Sequence, residues 1–525
     1  MPVSARSTET SSVDKRSKFY KKLHRWPGLI LSLILFYYGI TGIFMNHRRF
    51  FSGIDISREF LPQGYAYRNW NNSALKGNLI INPDSILVFG NIGIWVTDSA
   101  FRDYVSLNAG FPDGTDHRKV FDVHRAPDGE LYAATLFGLY AYDREHQKWQ
   151  RFARDAGPER FVGVESIGDT VYAINRSFLL RGKSEGTKTR FSKIELAAPE
   201  GYEQQVSLFE TLWQTHSGEI IGLPGKLFVD FLGVITVFLS LTGIIYFFFP
   251  GWIKARIRKK KSIRPIKHIN RWSLKWHNKT GAWFYIPLTI LFLTGMFLRP
   301  PLLIAIANAS IRPLRFSHLD QPNPWYDKLR DILYDPEKDY FLLSTSEGMY
   351  FMEPHTGRPV RFIIQPPVSV MGINTFEPLQ DGFFLIGSFS GLFLWNPASS
   401  EVIDYMKGTV WQGVSTGRPV GDFKVTGVVT DTRGSRYMID YGKGAVPVWH
   451  EGIFPEMPGN VLRESRMSLW SVSLEIHTGR IFEGVLGIFY ILLVPLVGLG
   501  GIMVVISGYL LWRKRYWKKK QAAKT

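Results

Sequence analysis

The sequence contains no cysteine among its 525 residues. Disulfides, thiolate-bound iron–sulfur clusters, covalent CxxCH haem attachment and thiol nucleophiles are therefore excluded. The sequence also lacks a GxGxxG motif between a strand and a helix, and it lacks GxxxxGK[ST], HExxH and GxSxG. No nucleotide-binding or flavin-binding domain is indicated. Any redox chemistry must use a cofactor that other side chains hold without a covalent bond.

Acidic residues are absent from two basic segments. Gly251–Thr280 contains 11 Lys or Arg residues and Arg513–Thr525 contains 7, and neither segment has Asp or Glu. Together they account for the net charge of +18. Each segment borders an apolar run, which is the pattern of cytoplasmic loops in membrane proteins. These segments are expected to contact anionic lipid, and no soluble domain presents the basic face that nucleic-acid binding requires.

Four apolar runs are long enough to cross a bilayer, which takes about 20 helical residues. They are Pro27–Asn46, Leu227–Trp252, Gly281–Arg299 and Ile481–Trp512. No A-x-A-like cleavage site follows the first run, so it is expected to be an uncleaved anchor. The sequence predicts an α-helical integral membrane protein with four transmembrane helices and both termini in the cytoplasm.

This topology divides the chain into seven parts. Two extracytoplasmic β segments alternate with the helices and cytoplasmic parts. The predicted bounds are 1–47 for the cytoplasmic N-terminus and helix 1, 48–215 for β segment 1, 216–252 for helix 2, 253–280 for a basic cytoplasmic loop, 281–299 for helix 3, 300–476 for β segment 2, and 477–525 for helix 4 and a basic cytoplasmic tail.

The helices form two repeats. His24 precedes Thr41-Gly42 by 17 residues, and His277 precedes Thr294-Gly295 by the same number. Helices 2 and 4 follow His216-Ser-Gly and His477-Thr-Gly, and they contain Thr242-Gly243 and Ser507-Gly508. The last two spacings are 26 and 30, so helix 4 is expected to run about one turn longer.

The β segments also repeat. Gly138–Phe152, Gly348–Phe362 and Gly391–Tyr405 align without gaps, and Ile86–Thr97 is a weaker copy. A strand, a glycine turn, a strand, a polar turn and a strand, at about 40-residue spacing, are typical of propeller blades. We expect about three blades in each segment and one propeller-like all-β domain built from both segments. The alternative is two separate antiparallel β modules.

Histidines at matching positions of the two repeats suggest haem. A b-type haem needs axial imidazoles that face each other across a helix bundle. The repeat symmetry predicts two such pairs and two haems: His24 with His277 near the cytoplasmic face, and His216 with His477 near the outer face. Glycines of the helices either make room for the haems or allow tight helix packing.

Other polar residues lie at the predicted outer face. His47 has no counterpart, because the matching position is Pro300, and it either replaces an outer ligand or contacts substrate. Arg48, Arg49 and Arg299 either bind haem propionates or an anionic ligand, or anchor the helices at the interface. Asp230 is a candidate for proton relay or for a hydrogen bond to a ligand imidazole. The candidate catalytic residues are His47, Arg49 and Arg299.

The segments Lys22–His47, His216–Phe248 and Ile476–Gly487 resemble the PepSY-associated transmembrane family, because HRWxG, NH, HTG and TG occur in that order. The family includes iron-regulated bacterial inner-membrane proteins, and some members are haem-containing reductases of ferric siderophores. The resemblance implies the same positions as site residues here, namely His24, His47, His216, His277 and His477.

The expected function is therefore transmembrane electron transfer through b-type haem, which reduces an extracytoplasmic ferric chelate such as a siderophore during iron uptake. The chain would be a haem-dependent oxidoreductase of the bacterial inner membrane with a periplasmic β domain. The electron donor would be a quinol or a cytoplasmic reductase. The alternatives are a non-enzymatic membrane-anchored protein that binds a ligand or partner or signals, and an accessory of haem or siderophore transport.

Overall fold

The computed structural model describes residues 5–152, 159–183, 189–369, 372–399, 401–413 and 421–522. The chain divides into two compact units, each assembled from separate stretches of sequence. The helical unit comprises Met1–Arg48, Gln204–Asp320 and Trp470–Thr525. The β unit comprises Arg49–Glu203 and Gln321–Leu469.

Helices dominate the first unit, and two short helices lie wholly or mostly in the β unit. In chain order, the α-helices of the described residues are α1 (Ala5–Asn46), α2 (Arg48–Phe51), α3 (Leu208–Ser217), α4 (Gly222–Arg258), α5 (Arg264–Trp283), α6 (Tyr285–Met296), α7 (Leu302–Ile306), α8 (Gly459–Glu464), α9 (Leu469–His477), α10 (Glu483–Leu486) and α11 (Leu493–Ala522).

Three helical stretches are long and apolar enough to cross a membrane: Lys18–Asn46, Glu219–Arg258 and Arg480–Tyr516. The predicted third span is interrupted, because α5 ends at Trp283 and α6 has only 12 residues. Pro287 explains the break, since it lacks the N–H that would bond the Trp283 carbonyl. Of the four predicted spanning helices, the structure supports three. The remaining predicted span, the third, contains only a shorter apolar helix, Tyr285–Met296.

The predicted basic loop 253–280 is mostly helical. Helix α4 continues to Arg258 and α5 begins at Arg264, so five residues separate the two helices. Pro265 stands in the first turn of α5, where its missing N–H costs nothing. The basic residues therefore lie on helix ends rather than on a long loop.

Glycines allow the helices to approach closely. A methyl group on Gly39 of α1 would stand 2.8 Å from the Gly233 carbonyl oxygen of α4. On α11, a methyl group on Gly498 would stand 2.7 Å from the Met296 side chain. Small residues at such crossings are a general device of membrane helices. These two glycines support the helix-packing interpretation.

The β unit begins with β1 (Asp55–Ile56), followed by three four-stranded antiparallel sheets. Sheet A contains β2 (Gly77–Asn82), β3 (Ser85–Gly90), β4 (Gly93–Asp98) and β5 (Tyr104–Ser106). Sheet B contains β6 (Val120–Arg125), β7 (Leu131–Thr135), β8 (Gly138–Asp143) and β9 (Lys148–Phe152). Sheet C contains β10 (Phe161–Ile167), β11 (Thr170–Asn175), β12 (Leu179–Lys183) and β13 (Phe191–Ile194).

The second segment adds three more sheets. In the helical unit, β14 (Val206–Ser207) first pairs with β15 (Ser310–Ile311). Sheet D contains β16 (Leu329–Asp335), β17 (Tyr340–Thr345), β18 (Gly348–Met352) and β19 (Val360–Arg361). Sheet E contains β20 (Ile373–Pro378), β21 (Phe384–Ser388), β22 (Gly391–Asn396), β23 (Glu401–Asp404) and β24 (Thr409–Val410). Sheet F contains β25 (Val425–Thr430), β26 (Arg436–Asp440) and β27 (Gly444–Val448), and β28 (Met467–Ser468) pairs with β1.

The three gap-free sequence repeats occupy equivalent places in sheets B, D and E. Each begins at the turn between the second and third strands, and Gly348 and Gly391 adopt φ of 141° and 137° there. Residues with a side chain rarely adopt such values, which explains the glycine. The prediction of an all-β domain with three sheets from each segment agrees with this arrangement.

Consecutive sheets share apolar cores. Sheets A and B bury Leu87 and Val123 together, and the same kind of core joins B to C, C to D, D to E and E to F. A sixth core joins sheet F to sheet A through residues that include Trp95 and Ile439. Each fully buried side chain of this size contributes about 1.5–3 kcal/mol. Each of the six sheets therefore shares one core with the sheet before it and one with the sheet after it, and sheet F is followed by sheet A.

Candidate functional site

The helical unit brings four histidines into two pairs. His24 of α1 and His277 of α5 have ring centroids 6.0 Å apart, at an interplanar angle of 71°. His216 of α3 and His477 of α9 have ring centroids 6.2 Å apart, at 61°. We call these the inner pair and the outer pair. They are the two pairs that the repeat symmetry predicts.

A hydroxyl-glycine pair of another helix contacts each histidine. Thr242 lies 2.9 Å from Nδ1 of His277, and Thr41 lies 3.0 Å from Nδ1 of His477. The other two contacts follow the same scheme: Thr294 Oγ1 is 3.3 Å from Nδ1 of His216, and Ser507 Oγ is 3.4 Å from Nδ1 of His24. In those two, Nδ1 also bonds the carbonyls of Leu291 at 3.0 Å and Val504 at 2.9 Å.

These contacts determine which ring nitrogen carries the proton. A carbonyl oxygen only accepts, so Nδ1–H donates in His216 and His24. The Thr242 hydroxyl donates to the Phe238 carbonyl at 2.7 Å, and the Thr41 hydroxyl donates to the Tyr37 carbonyl at 2.7 Å. Each of these hydroxyls therefore accepts from its histidine. With Nδ1 as the donor, each imidazole in its neutral form carries the lone pair on Nε2, which is the form that binds metals.

The glycine of each pair leaves space for the ring. A methyl group on Gly295 would stand 2.6 Å from Cε1 of His216, and one on Gly508 would stand 2.8 Å from Cε1 of His24. At Gly42 and Gly243 the corresponding distances are 3.4 Å and 3.5 Å. A side chain at Gly295 or Gly508 would push the imidazole away. Gly295 thus makes room for the imidazole of His216, and room for a haem beside the glycines stays a prediction.

Each histidine is contacted by the opposite repeat. Helices α1 and α4 supply Thr41 and Thr242 to the histidines of the second repeat, His477 and His277. The second repeat supplies Thr294 and Ser507 in return. Neither repeat alone can therefore form a complete histidine pair.

The unequal spacings of 26 and 30 have a local cause. After His216 and His477, Gly218 and Gly479 adopt left-handed φ of 80° and 75°. Gly222 and Gly487 then start the next helical stretch, and each precedes its hydroxyl-glycine pair by 20 residues. The four extra residues form α10, between the two glycines. The expected extra turn is therefore not in the spanning part of helix 4.

The two pairs fit a haem better than a free metal ion. The described residues contain no group of three or more His, Asp or Glu that could hold a metal ion. Two imidazoles that share one metal at about 2 Å on each side have ring centroids about 6 Å apart. A metal whose remaining ligands come from a porphyrin needs only these two nitrogens. The donor set, the tautomers and the separation all agree with such a group.

His47 is occupied by another partner. Its Nε2 lies 2.8 Å from Asp230 Oδ2, and Asn46 donates to the other carboxylate oxygen at 2.8 Å. Asp230 thus bonds none of the four paired histidines in the described contacts. Nε2 of His47 is thus engaged by a carboxylate, and His47 belongs to neither histidine pair. Its side chain is 40% exposed, which leaves it accessible from solvent.

The three predicted arginines have different surroundings. The guanidinium of Arg48 lies 3.8 Å from the ring centroid of Trp470. Arg49 belongs to the β unit, where its charge acts on Tyr140. Arg299 belongs to the helical unit, within electrostatic range of Tyr38, Arg480 and Glu475. The three arginines therefore have different neighbours, each described within its own unit.

Sequence reasoning missed Tyr38. Its ring stacks on His477 with centroids 4.9 Å apart at 27°. One signal was available, because Tyr38 stands three residues before Thr41, where the equivalent positions hold Leu239, Leu291 and Val504. Tyr38 is thus the one polar residue among four equivalent positions, which indicates that the repeats differ here.

These features define an integral membrane protein with two paired-histidine sites between its helices. The PepSY-associated TM region matches residues 21–515, nearly the whole chain. The chain belongs to this family, which confirms the resemblance.

No curated protein matches the chain. Among solved structures, the extracellular domain of a hybrid two-component system from B. thetaiotaomicron is similar at 12% identity and a TM-score of 0.35, over 74% of this chain and 34% of that one. A GH74 xyloglucanase from Xanthomonas campestris is similar at 10% identity and a TM-score of 0.33, over 73% of this chain and 46% of that one. The chain thus spans less than half the length of both proteins, and likenesses this weak establish no shared fold.

Proposed function

We propose that the protein transfers electrons across the bacterial inner membrane through two b-type haems and reduces a ferric chelate on the periplasmic side. The observation that supports this most is the set of four imidazoles, paired at ring-centroid distances of 6.0 Å and 6.2 Å and each hydrogen-bonded through Nδ1. The Nδ1 contacts leave Nε2 of both imidazoles in each pair, and a haem iron takes two such axial nitrogens. In this site the haem would supply reversible one-electron redox chemistry.

The chain's own residues position the ligands. His24 and His277 would hold the inner haem, and His216 and His477 the outer one. Thr41 and Thr242 keep His477 and His277 in the ligating tautomer, and the Leu291 and Val504 carbonyls do the same for His216 and His24. Along α1, His24 and Thr41 are 17 residues apart, about 25 Å at 1.5 Å per residue. The pairs therefore lie near opposite faces of the bilayer.

The overall reaction is a one-electron reduction for each iron. A quinol or a reduced cytoplasmic reductase would supply the electrons, and each ferric ion of the chelate would become ferrous. With a quinol, two ferric ions are reduced while two protons are released. Ferrous iron is bound more weakly by oxygen chelators, so reduction would favour iron release. His47, exposed and oriented by Asp230, is the candidate to contact the chelate.

The positions of the basic segments support this topology, with both termini in the cytoplasm and the β unit in the periplasm. We further infer that the six sheets are blades of one propeller closed by the core between sheets F and A. Sheets C and D, which meet where the two sequence segments join, share a core that includes Tyr172 and Phe341. The propeller would present its loops to the chelate or to a partner that delivers it.

The test is the absorbance spectrum of the purified full-length protein. Bis-imidazole ligation should give a low-spin spectrum with a sharp α band on reduction. His24→Ala and His277→Ala should each remove one haem, and His216→Ala and His477→Ala the other. His268→Ala is the matched control, because His268 is an exposed residue of α5. A haem-free but folded wild-type protein would refute the proposal.

An empty haem site leaves a cavity that can itself destabilise the bundle. His277→Met separates loss of the ligand from loss of the fold, because methionine is also an axial ligand of haem. This variant should keep the inner haem with an altered spectrum and a higher potential. An unchanged spectrum would show that His277 is not a ligand.

A further inference from the structure

The outer pair has an unsatisfied polar group beside it. The hydroxyl of Tyr38 is buried and has no hydrogen-bond partner among the described residues. A buried hydroxyl without a partner is unfavourable, because it has lost its hydrogen bonds to water and gained none in the protein. The Tyr38 ring is fixed by its stacking on His477. The position of the hydroxyl is therefore defined, and a missing partner would have to reach it beside the outer pair.

Arg299 is the second unsatisfied group. Within the described part of the chain, its guanidinium makes no hydrogen bond or ion pair, although it is only partly exposed. Its charge acts on Tyr38 and on Arg480. Arg480 is already ion-paired with Glu475. The guanidinium groups of Arg299 and Arg480 carry two positive charges, and Glu475 carries one negative charge. One positive charge among these three residues is therefore not balanced.

Tyr38 and Arg299 occupy positions at which the two repeats differ. Leu291 occupies the position of Tyr38 in the second repeat, and Asn46 occupies the position of Arg299 in the first. Asn46 is satisfied by Asp230 and by the Ser217 carbonyl. Leu291 has no hydroxyl and Asn46 has no guanidinium, so among the described residues these two symmetry-related positions lack both groups. Tyr38, stacked on His477, and Arg299 supply both.

We propose that Tyr38 and Arg299 bind a carboxylate beside His477, an inference that rests on the proposed function. The Tyr38 hydroxyl donates to one carboxylate oxygen, and the planar guanidinium of Arg299 donates to the carboxylate and balances its charge. Two molecules can supply this carboxylate. One is a propionate of the haem held by His216 and His477, and the other is a carboxylate group of the ferric chelate.

The first experiment measures the reduction potential of the outer haem in purified full-length Arg299→Gln and Tyr38→Phe. If a propionate is bound, Arg299→Gln should lower the ratio of reduced to oxidised outer haem about tenfold at a fixed potential, which is about 59 mV for one electron. Tyr38→Phe should act in the same direction. Arg315→Gln and Tyr37→Phe are the matched controls, because both residues are exposed.

A second experiment separates the two sources. With a propionate as ligand, the protein reconstituted with haem dimethyl ester should show the same potential in wild type and Arg299→Gln. With the chelate as ligand, Arg299→Gln should keep the haem potential and raise the KM for ferric citrate about tenfold. The KM for a neutral ferric trihydroxamate, which has no carboxylate, should not change.

The proposal is overturned if neither the potential nor the KM for ferric citrate responds to Arg299→Gln. A haem-free wild-type protein would defeat the proposed function instead. In that case direct binding of ferric citrate to wild type and Arg299→Gln decides the question. Equal affinity of both proteins would then overturn the carboxylate site as well.

Discussion

Thr242 accepts a hydrogen bond from Nδ1 of His277 at 2.9 Å while its own hydroxyl proton is bound to the Phe238 carbonyl. Removing the hydroxyl removes this bond, which is worth about 0.5–1.5 kcal/mol. Without it the imidazole is a poorer electron donor. Thr242→Val should therefore keep the inner haem and raise its potential by about 20–60 mV.

The measurement is a redox titration followed at the reduced α band. Thr236→Val is the control, because Thr236 lies on the same helix and its hydroxyl bonds the Leu232 carbonyl. Equal potentials in wild type and Thr242→Val would show that the contact does not tune the site.

Gly295→Ala tests the space beside His216. The added methyl group would stand 2.6 Å from Cε1 of the imidazole, so the ring must move. Most of the outer haem should be lost while the inner haem remains. Gly251→Ala is the control, because no atom lies within 4 Å of its added methyl group. Haem content by pyridine haemochrome measures the outcome, and full occupancy in Gly295→Ala would contradict the assignment of His216.

His47→Gln tests the outer surface. Since Nε2 of His47 bonds Asp230 and not a haem site, both haems should remain. Ferric-chelate reduction should fall about tenfold or more, because a hydrogen bond that involves a charged group contributes about 1.5–3 kcal/mol. Steady-state reduction assays and the spectrum are measured on the same sample, with His355→Gln as control. Haem loss in His47→Gln would instead make His47 a ligand.

Buried carboxyls of the β unit predict a pH dependence of stability. Burial raises the pKa of Asp122 to about 6, and burial with the nearby Asp122 carboxyl also raises the pKa values of Glu165 and Asp331. In the unfolded chain, Asp has a pKa of about 3.9. The folded state thus binds more protons between pH 4 and 6, so the free energy of unfolding falls as pH rises through that range.

For Asp122 alone this loss is about 3 kcal/mol above pH 6. Asp122→Asn should flatten the pH profile, because asparagine can still accept the N–H of Val164 that Asp122 binds at 2.9 Å. Chemical unfolding followed by tryptophan fluorescence between pH 4 and 7 is the measurement. Glu145→Gln, in an exposed turn, should keep the wild-type slope. A wild-type slope in Asp122→Asn would contradict the prediction.

The topology is tested with reporter fusions. A periplasmic reporter inserted between Gly110 and Gly114 should be active, and one fused after Thr525, which lies outside the described residues, should be inactive. The physical reason is the pair of basic segments, which resist translocation. A cytoplasmic reporter at the same two places should give the opposite pattern. Periplasmic activity after Thr525 would refute the orientation.

The sequence alone determined the helical repeats, the candidate histidine pairs and the strand repeats of the β unit. These depend on local order: apolar runs form helices, and the 17-residue spacing of His24 and His277 is visible in the chain. The family could also be predicted, because its motifs are short and contiguous. The broken third helix had a local signal in Pro287, which the length of the apolar run concealed.

Only the tertiary structure decided which groups meet. His24 is bonded by residues near position 504, and His477 by Thr41, more than 400 residues away in each case. Such contacts depend on which faces of two helices pack together, and sequence spacing does not specify that. The same reason separates Arg48, bound to Trp470, from Arg299, which stays unpaired within the described residues. The candidate carboxylate site at Tyr38 and Arg299 therefore follows from helix packing and not from the spacing of arginines in the sequence.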